Sequence, residues 1–423
     1  LRGLFGITDP RGLWFPEIRS MGGAIFLLAF VLYPYVYLPV RALFLMQSAS
    51  MLEVARTLGA GPWRTFRQVA LPLSRPALVV GVSLAMLEAL NDIGASEFLG
   101  VRTLTVSIYT TWVTRSSIEG ASQIALVMLA IVFGLILVEH RARRTKRYSG
   151  PAGRGRPPAP RVLEGWRGIG ALLLLILPII LGFVVPASYL LYSALRRVAE
   201  RGVPAELGHW IFNSISLAAV AALCCVAVGL VLAYTVRVVR GRLAPFLVRV
   251  ASIGYAIPGT VLAAGLLVPL ASFDNVVADA VKAWTGVSPG LILTGSGAAL
   301  VFAYVLRFLA VSAGGVEAGL ARISPSIDMA ARSLGAGPLK TVGRIHLPML
   351  SPALAAAGLL VFVDCMKELP ATLLLRPFNF ETLATYVYGE AVRGTYEDGA
   401  VAALAIVIAG LVPVALLART GRR

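Results

Sequence analysis

Charge is scarce in this sequence: only 14% of its 423 residues are Asp, Glu, Lys or Arg, against 58% hydrophobic ones, and the mean hydropathy is +0.81. That balance excludes an ordinary soluble domain, which devotes about a quarter of its residues to charge. Histidine and cysteine are rarer still, with three of each. His140, His209 and His346 stand singly, so no metal-ligand spacing arises. Cys224, Cys225 and Cys365 all fall in apolar runs, where they read as small buried hydrophobes and not as a disulfide framework. Leu1 stands in place of an initiator Met, so the sequence reads as a fragment.

What is present is a succession of apolar runs of roughly 20 residues, each able to cross about 30 Å of hydrocarbon as a helix. They are predicted near 22-44, 76-95, 121-138, 170-192, 211-236, 250-271, 291-313, 352-376 and 398-418. The expected fold is therefore all-α, a polytopic transmembrane helical bundle with about nine spans present. A net charge of +17 could suggest nucleic acid, but the basic residues sit on alternate loops. Arg41, Arg56, Arg64, Arg67 and Arg75 follow the first span, Arg141, Arg143, Arg144, Lys146 and Arg147 the third, and Arg237, Arg240, Arg242 and Arg249 the fifth. Arg322, Arg332, Lys340 and Arg344 follow the seventh, and Arg419, Arg422 and Arg423 the last. The intervening loops are mixed or acidic. By the positive-inside rule the basic loops face the cytoplasm, which makes membrane lipid and not nucleic acid the expected surrounding.

The stretch 139-167, rich in Arg, Pro and Gly and without apolar periodicity, reads as a basic cytoplasmic linker between residues 1-138 and 168-423. The two parts repeat. ARTLGAGPWRTFRQVALPLSRPAL (55-78) aligns with ARSLGAGPLKTVGRIHLPMLSPAL (331-354) at an offset of 276, and about half the positions are identical. Glu88 then aligns with Asp364 and Asp92 with Glu368; after a small insertion, Thr103-Leu104 aligns with Thr382-Leu383 and Gly120-Ala121 with Gly399-Ala400. The second half carries six predicted spans and the first only three, so about three N-terminal spans are expected to be missing from the first half.

Within the repeat, Gly59 and Gly61 suit the end of a short helix and Pro62 the first turn of the next. WRTFRQVAL then places Trp63, Phe66 and Val69/Ala70 on one apolar stripe, with Leu71-Pro72 expected to end that helix and Pro76 to begin the next span. A turn that only has to re-enter the membrane needs neither two glycines nor an exposed Trp, so the elbow reads as a docking surface. It is not a phosphate-binding loop: Leu339 and not Gly precedes Lys340, and the first copy has Arg64 in place of Lys. ATP, if it drives this protein, is bound by another subunit.

These two loops resemble the EAA loop of ABC importer permeases, whose pattern is roughly E-A-A-x-x-L-G followed by L-P-x-x-x-P. The first copy, near 53-78, has Glu53, Ala55, Leu58, Gly59, Leu71, Pro72 and Pro76; the second, near 328-354, has Ala330, Ala331, Leu334, Gly335, Leu347, Pro348 and Pro352. Val54 departs from the pattern in the first copy, and in the second Met329 replaces Glu, with Asp328 one place earlier. The resemblance implies two repeated, MetI-like permease halves in a bacterial or archaeal inner membrane. It assigns Glu53, Ala55, Leu58, Gly59, Gly61, Phe66, Leu71, Pro72, Asp328, Ala330, Ala331, Leu334, Gly335, Gly337, Leu347 and Pro348 to coupling with the ATPase. It implies two ATPase subunits that hold ATP and Mg, a periplasmic or lipid-anchored solute-binding protein, and no cofactor or catalytic residue on this chain. Two fused copies, with NDIGASEFLGVRTLTVSIYTTW (91-112) and VDCMKELPATLLLRPFNFETLATYVY (363-388), are most similar to the ferric-iron branch.

Glu88, Asn91 and Asp92 have i, i+3, i+4 spacing on a predicted span, and Asp364, Lys367 and Glu368 repeat it. An ionised group at mid-bilayer costs on the order of 2.5–3.5 kcal/mol, so such groups need a reason. One reading has Lys367 neutralise its neighbours while Glu88 and Asp92 reach the outer surface. The other has the two clusters line a pathway whose net negative charge suits a small cation: ferric iron, thiamine or a polyamine. Arg307, in the seventh span, fits either reading as partner or path residue. A polytopic enzyme would need a convergent His/Asp constellation, which is lacking, and an ATP-independent channel or carrier would have no use for two docking loops.

Overall fold

The computed structural model describes residues 17–46, 50–144, 162–239 and 241–420. Residues 145–161, most of the expected linker, lie outside the described residues. Among those described, all regular structure is helical. The chain begins with α1 (Met21–Met46), the short α2 (Ser50–Thr57) and α3 (Pro62–Thr65), and α4 (Leu71–Asn91). Two short helices follow, α5 (Gly94–Phe98) and α6 (Leu104–Tyr109), before the long α7 (Ile118–Arg144). Beyond the linker come α8 (Gly165–Ile179), α9 (Val185–Arg201), α10 (Leu207–Val238), α11 (Leu243–Ala251), α12 (Gly259–Thr285) and α13 (Ala298–Leu320). The remainder is α14 (Pro325–Ser333), α15 (Pro338–Thr341), α16 (Leu347–Met366), α17 (Pro370–Leu375), α18 (Leu383–Arg393) and α19 (Ala400–Thr420).

Eight helical segments among the described residues are long and apolar enough to cross a membrane, and α19, apolar over Ala400–Ala415, supplies the ninth expected crossing. Three predicted spans are divided differently from expectation, each for a local reason. The run placed at 250-271 is broken: a 3-10 turn, Ser252–Ala256, follows α11, and Ile257 is extended because Pro258 clashes with a helical residue before it. The run at 352-376 stops at Met366, resumes as α17, and is interrupted by Lys367–Leu369. The run at 76-95 ends at Asn91, where Asp92 turns extended.

Two compact units emerge, one comprising Leu1–Val106 with Ala130–Tyr189 and the other Ser107–Leu129 with Leu190–Arg423. The divisions fall inside α6, α7 and α9, not in the linker. In the first unit α1 packs on α4. Gly81 permits this, since a Cβ there would lie 2.7 Å from the Tyr35 carbonyl oxygen and from the Val36 Cα. Helices in lipid gain no hydrophobic drive from association, so close backbone approach through small residues is the available substitute. In the second unit α10, α13 and α16 pack together in the same way. Gly229 on α10 lies against Ser312 and Ala313, and the Ser312 hydroxyl donates to the Cys225 carbonyl at 2.8 Å. Cys225 and Cys365 are buried in that core with Ala221, Ala303, Tyr304 and Val361.

Candidate functional site

Each unit contains one helix–glycine–helix elbow, and the two are hydrogen-bonded alike. In the first unit α2 ends at Thr57, Gly59 is left-handed at φ 80°, and the Ala60 N–H donates to the Ala55 carbonyl at 3.0 Å. In the second, α14 ends at Ser333, Gly335 is left-handed at φ 75°, and the Ala336 N–H donates to the Ala331 carbonyl at 2.9 Å. Both are Schellman-type ends that only glycine adopts without strain. Thr65 N–H to Gly61 carbonyl (2.9 Å) and Thr341 N–H to Gly337 carbonyl (3.0 Å) start the second helix of each elbow.

The second helix does not end at Leu71-Pro72 as expected. A π-helical turn at Phe66–Ala70, matched by one at Val342–His346, runs α3 into α4 and α15 into α16. A proline cannot donate an N–H to the preceding turn and its ring collides with that turn, and a one-residue widening relieves both problems. Pro76 and Pro352 accordingly lie inside helices and do not start them.

What the elbows present is apolar. Leu58 is 81% exposed and Leu334 86%, and Trp63, Phe66, Met329 and Leu339 are exposed as well. Trp63 and Phe66 stack with ring centroids 5.7 Å apart. Beneath them Ala55, Thr65, Ala331 and Thr341 are buried. Glu53, Gly61, Ala330 and Gly337 lie on the exposed side, while Leu71, Pro72, Leu347 and Pro348 open α4 and α16. Asp328 behaves differently. Arg237 on α10 donates to its Oδ2 through Nη2 at 2.7 Å and Nε at 2.9 Å, and His346 Nε2 lies 2.8 Å from Oδ1. The carboxylate assigned to docking in this copy is thus already engaged within the unit.

The polar residues at the other end of α4 and α16 are not simple stripes on a helix. Asp92 lies one residue past α4 and acts as a cap for α5: its Oδ2 accepts from the Ser96 N–H at 2.9 Å and the Ser96 hydroxyl at 3.1 Å, and Oδ1 from the Ala95 N–H at 3.4 Å. Glu368 repeats this for α17, with Oε2 accepting from the Thr372 N–H at 3.1 Å and hydroxyl at 2.8 Å, and Oε1 from the Ala371 N–H at 3.0 Å. Every residue in the second set stands 276 positions after its counterpart. Such bonds satisfy helix N–H groups that hydrocarbon would leave without partners. The i, i+3, i+4 face expected for both clusters therefore breaks, at Asp92 in the first and already at Lys367 in the second.

The two sites differ in charge. Glu368 is buried and paired with Arg307 on α13, Nη1 to Oε1 at 2.6 Å, while the Arg307 Nε has no partner. Gly259, at the start of α12, makes room for this pair, because a Cβ there would lie 2.1 Å from Arg307 Nη1 and 2.6 Å from Glu368 Oε1. Tyr304 closes the cluster with its hydroxyl 2.5 Å from that of Thr372. The position 276 before Arg307 is Val31, and the Asp92 carboxylate accepts its hydrogen bonds from Ser96 and Ala95. Asp364 is paired with Lys367 at 3.1 Å. Glu88 and Asn91 are half-buried at the end of α4. Sequence reasoning missed Ser96 and Thr372, although a hydroxyl four residues after an acid in both halves was a legible signal. It also missed Gly259, for which only geometry gives the reason. No group of three or more His, Cys, Asp and Glu suited to a metal ion occurs among the described residues.

A family model described as binding-protein-dependent transport system inner membrane component matches residues 14–147 and 225–420. The Fe(3+)-transport system permease protein FbpB 2 of Haemophilus influenzae is 27% identical over 407 residues, covering 95% of this chain and 77% of that protein. The ferric transport system permease protein FbpB of Actinobacillus pleuropneumoniae is 26% identical over 376 residues, 82% of this chain but only 51% of that protein. The molybdenum transport system permease protein ModB of Escherichia coli K12 is 30% identical over 138 residues, 31% of this chain and 60% of that protein.

Proposed function

The chain belongs to the binding-protein-dependent transport inner-membrane component family, and from that premise, for a multi-pass permease of the inner membrane, we infer that it forms the pathway of an ATP-driven importer of ferric iron. The carrying observation is the pair of matched elbows with exposed Leu58 and Trp63 in one and Leu334 and Leu339 in the other. Exposed apolar side chains on a rigidly ended helix are costly in water and suit a cleft on another protein. On this reading two ATPase subunits, which hold ATP and Mg, each receive one elbow, and residues 1-138 and 168-423 act as the two permease halves. Closure of the ATPases on ATP moves the elbows, and the halves alternate access to the two sides of the membrane. Asp92, Glu88 and Asn91 are assigned to the path.

Ferric iron is the favoured cargo because two of the relatives that match more than four-fifths of this chain carry ferric-transport names. A second reading, an oxyanion, draws on the neutralisation of Glu368 by Arg307, which removes one carboxylate from a cation-selective lining, and on the ModB match. Import of another small cation, thiamine or a polyamine, uses the same machine.

The test is ATP hydrolysis in proteoliposomes holding the full-length permease, its ATPase and its binding protein, the last loaded with ferric iron, molybdate or thiamine, or empty. Stimulation by the iron-loaded protein alone, abolished by Gly59→Arg/Gly335→Arg, supports the assignment. Stimulation by molybdate alone moves the cargo to the oxyanion, and an intact complex that no loaded protein stimulates refutes import.

A further inference from the structure

The loop between α17 and α18 is built with unusual care for a connection of its length. The chain leaves α17 at an extended Arg376, turns through Pro377, Phe378 and a left-handed Asn379 (φ 61°), and enters α18 at Thr382, which forms a capping box with Thr385. Arg376 is ion-paired with Glu381 across the loop. From α10, Asn213 donates to the Glu381 carbonyl at 2.9 Å, and the Ser214 hydroxyl accepts from the Leu383 N–H at 2.8 Å. Phe380 packs against the core of the unit, whereas Phe378, two residues earlier, is 101% exposed. A large aromatic held fully in the open by a fixed loop has no folding role.

Its position supplies the partner. Asn213 stands 24 residues before Arg237 on the same helix, about 36 Å along its axis, and Arg237 is bonded to Asp328 in the elbow. The Phe378 loop is therefore at the membrane face opposite the elbow. The repeat marks it as an addition, because the offset is 276 at Asp92 and Glu368 but 279 at Thr103 and Thr382. Three residues have been inserted here, and the shorter link Gly100–Arg102 of the first half carries no aromatic.

We propose that the Arg376–Thr382 loop is a docking surface for the solute-binding protein, with Phe378 as its anchor. An open cavity of about 610 Å³ lies beside it, lined by Glu206, His209, Trp210, Arg376 and Glu381 among others. An aromatic anchor within a polar rim is the usual anatomy of a protein–protein contact. Two carboxylates in the rim disfavour lipid phosphate as the occupant. The proposal rests on the import reading above, since it takes its partner from it.

The test uses the full permease–ATPase complex in nanodiscs and the iron-loaded binding protein. Its equilibrium affinity and the concentration giving half-maximal ATP hydrolysis are measured for wild type, Phe378→Ala and Phe378→Asp. Truncating a hot-spot aromatic costs roughly thirtyfold in affinity, so both constants should rise by that order for Ala and further for Asp, with the effect in half-saturation and not in the ceiling rate. Equal affinity in all three overturns the docking assignment while leaving import standing. Loss of nanodisc retention with unchanged affinity identifies a lipid contact and also overturns it. A wild-type complex that binds no loaded protein overturns the import reading first and this surface with it.

Discussion

Arg307 and Glu368 offer the sharpest test of the energetics. Removing one partner of a buried ion pair costs about 3–5 kcal/mol because the survivor keeps its charge without a counter-ion. In Arg307→Met, Glu368 retains only its bonds from Ala371 and Thr372; in Glu368→Gln, a guanidinium that already has an unpartnered Nε loses its carboxylate. The double variant Arg307→Met/Glu368→Gln holds no charge, and the Gln oxygen can still accept from the α17 N–H groups, so only a capping loss of about 1 kcal/mol remains. The expected cycle is therefore strongly non-additive, with a coupling of about 5 kcal/mol or more and the double variant more stable than either single one. Reversible unfolding in mixed detergent micelles measures it. Additive losses would refute the pair as the element joining α13 to the α16–α17 break, and Gly259→Ala, whose Cβ would collide with the pair, should resemble the single variants.

Three further outcomes follow from separate features. Gly59→Ala should cost only about 1–2 kcal/mol of left-handed strain, since nothing lies within 4 Å of the added carbon, whereas Gly59→Arg should leave the fold intact and abolish ATPase co-purification. Asp92→Asn keeps an acceptor for Ser96 and should preserve the melting temperature within a few degrees while lowering transport about tenfold; a loss of stability without a transport defect would make Asp92 a cap alone. Gly229→Val, with its Cβ 2.6 Å from Ser312 Oγ, should destabilise the second unit by about 1–3 kcal/mol through overpacking, read as reduced recovery of monodisperse protein.

Much of the fold was legible because lipid imposes a simple rule: backbone groups must pair internally, so apolar runs become helices. The nine crossings and both elbows follow from run length and from the Gly-Pro spacing. The errors cluster where a proline or an acid interrupts a run. Ile257-Pro258 breaks a helix that hydropathy alone carries straight through, and the π-turn before Leu71-Pro72 and Leu347-Pro348 rescues helices that proline alone would end. At Asp92 and Glu368 the acid type and the repeat were visible, but their capping role depends on the chain turning at that residue, which the spacing of side chains does not encode. Asp328 shows the converse limit. Its place in the elbow was clear, yet its engagement by Arg237, 91 residues away, belongs to tertiary packing.

That engagement gives α10 a mechanical role. At one end Arg237 fastens it to Asp328 and to the carbonyls of Leu320 and Ile323, and at the other Asn213 and Ser214 fasten it to the start of α18. Between them lies a continuous helix with no proline, so displacement at one end reaches the other without a hinge to absorb it. Charge-assisted bonds are worth about 1.5–3 kcal/mol each, and lysine cannot reproduce the guanidinium fork that holds Asp328 and two carbonyls together. Arg237→Lys should therefore lower the stimulation of ATP hydrolysis by loaded binding protein several-fold while leaving the affinity for that protein and for the ATPase unchanged. Full stimulation in this variant would show that the elbow is driven instead through the helices that adjoin it in the chain, α13 before it and α16 after it.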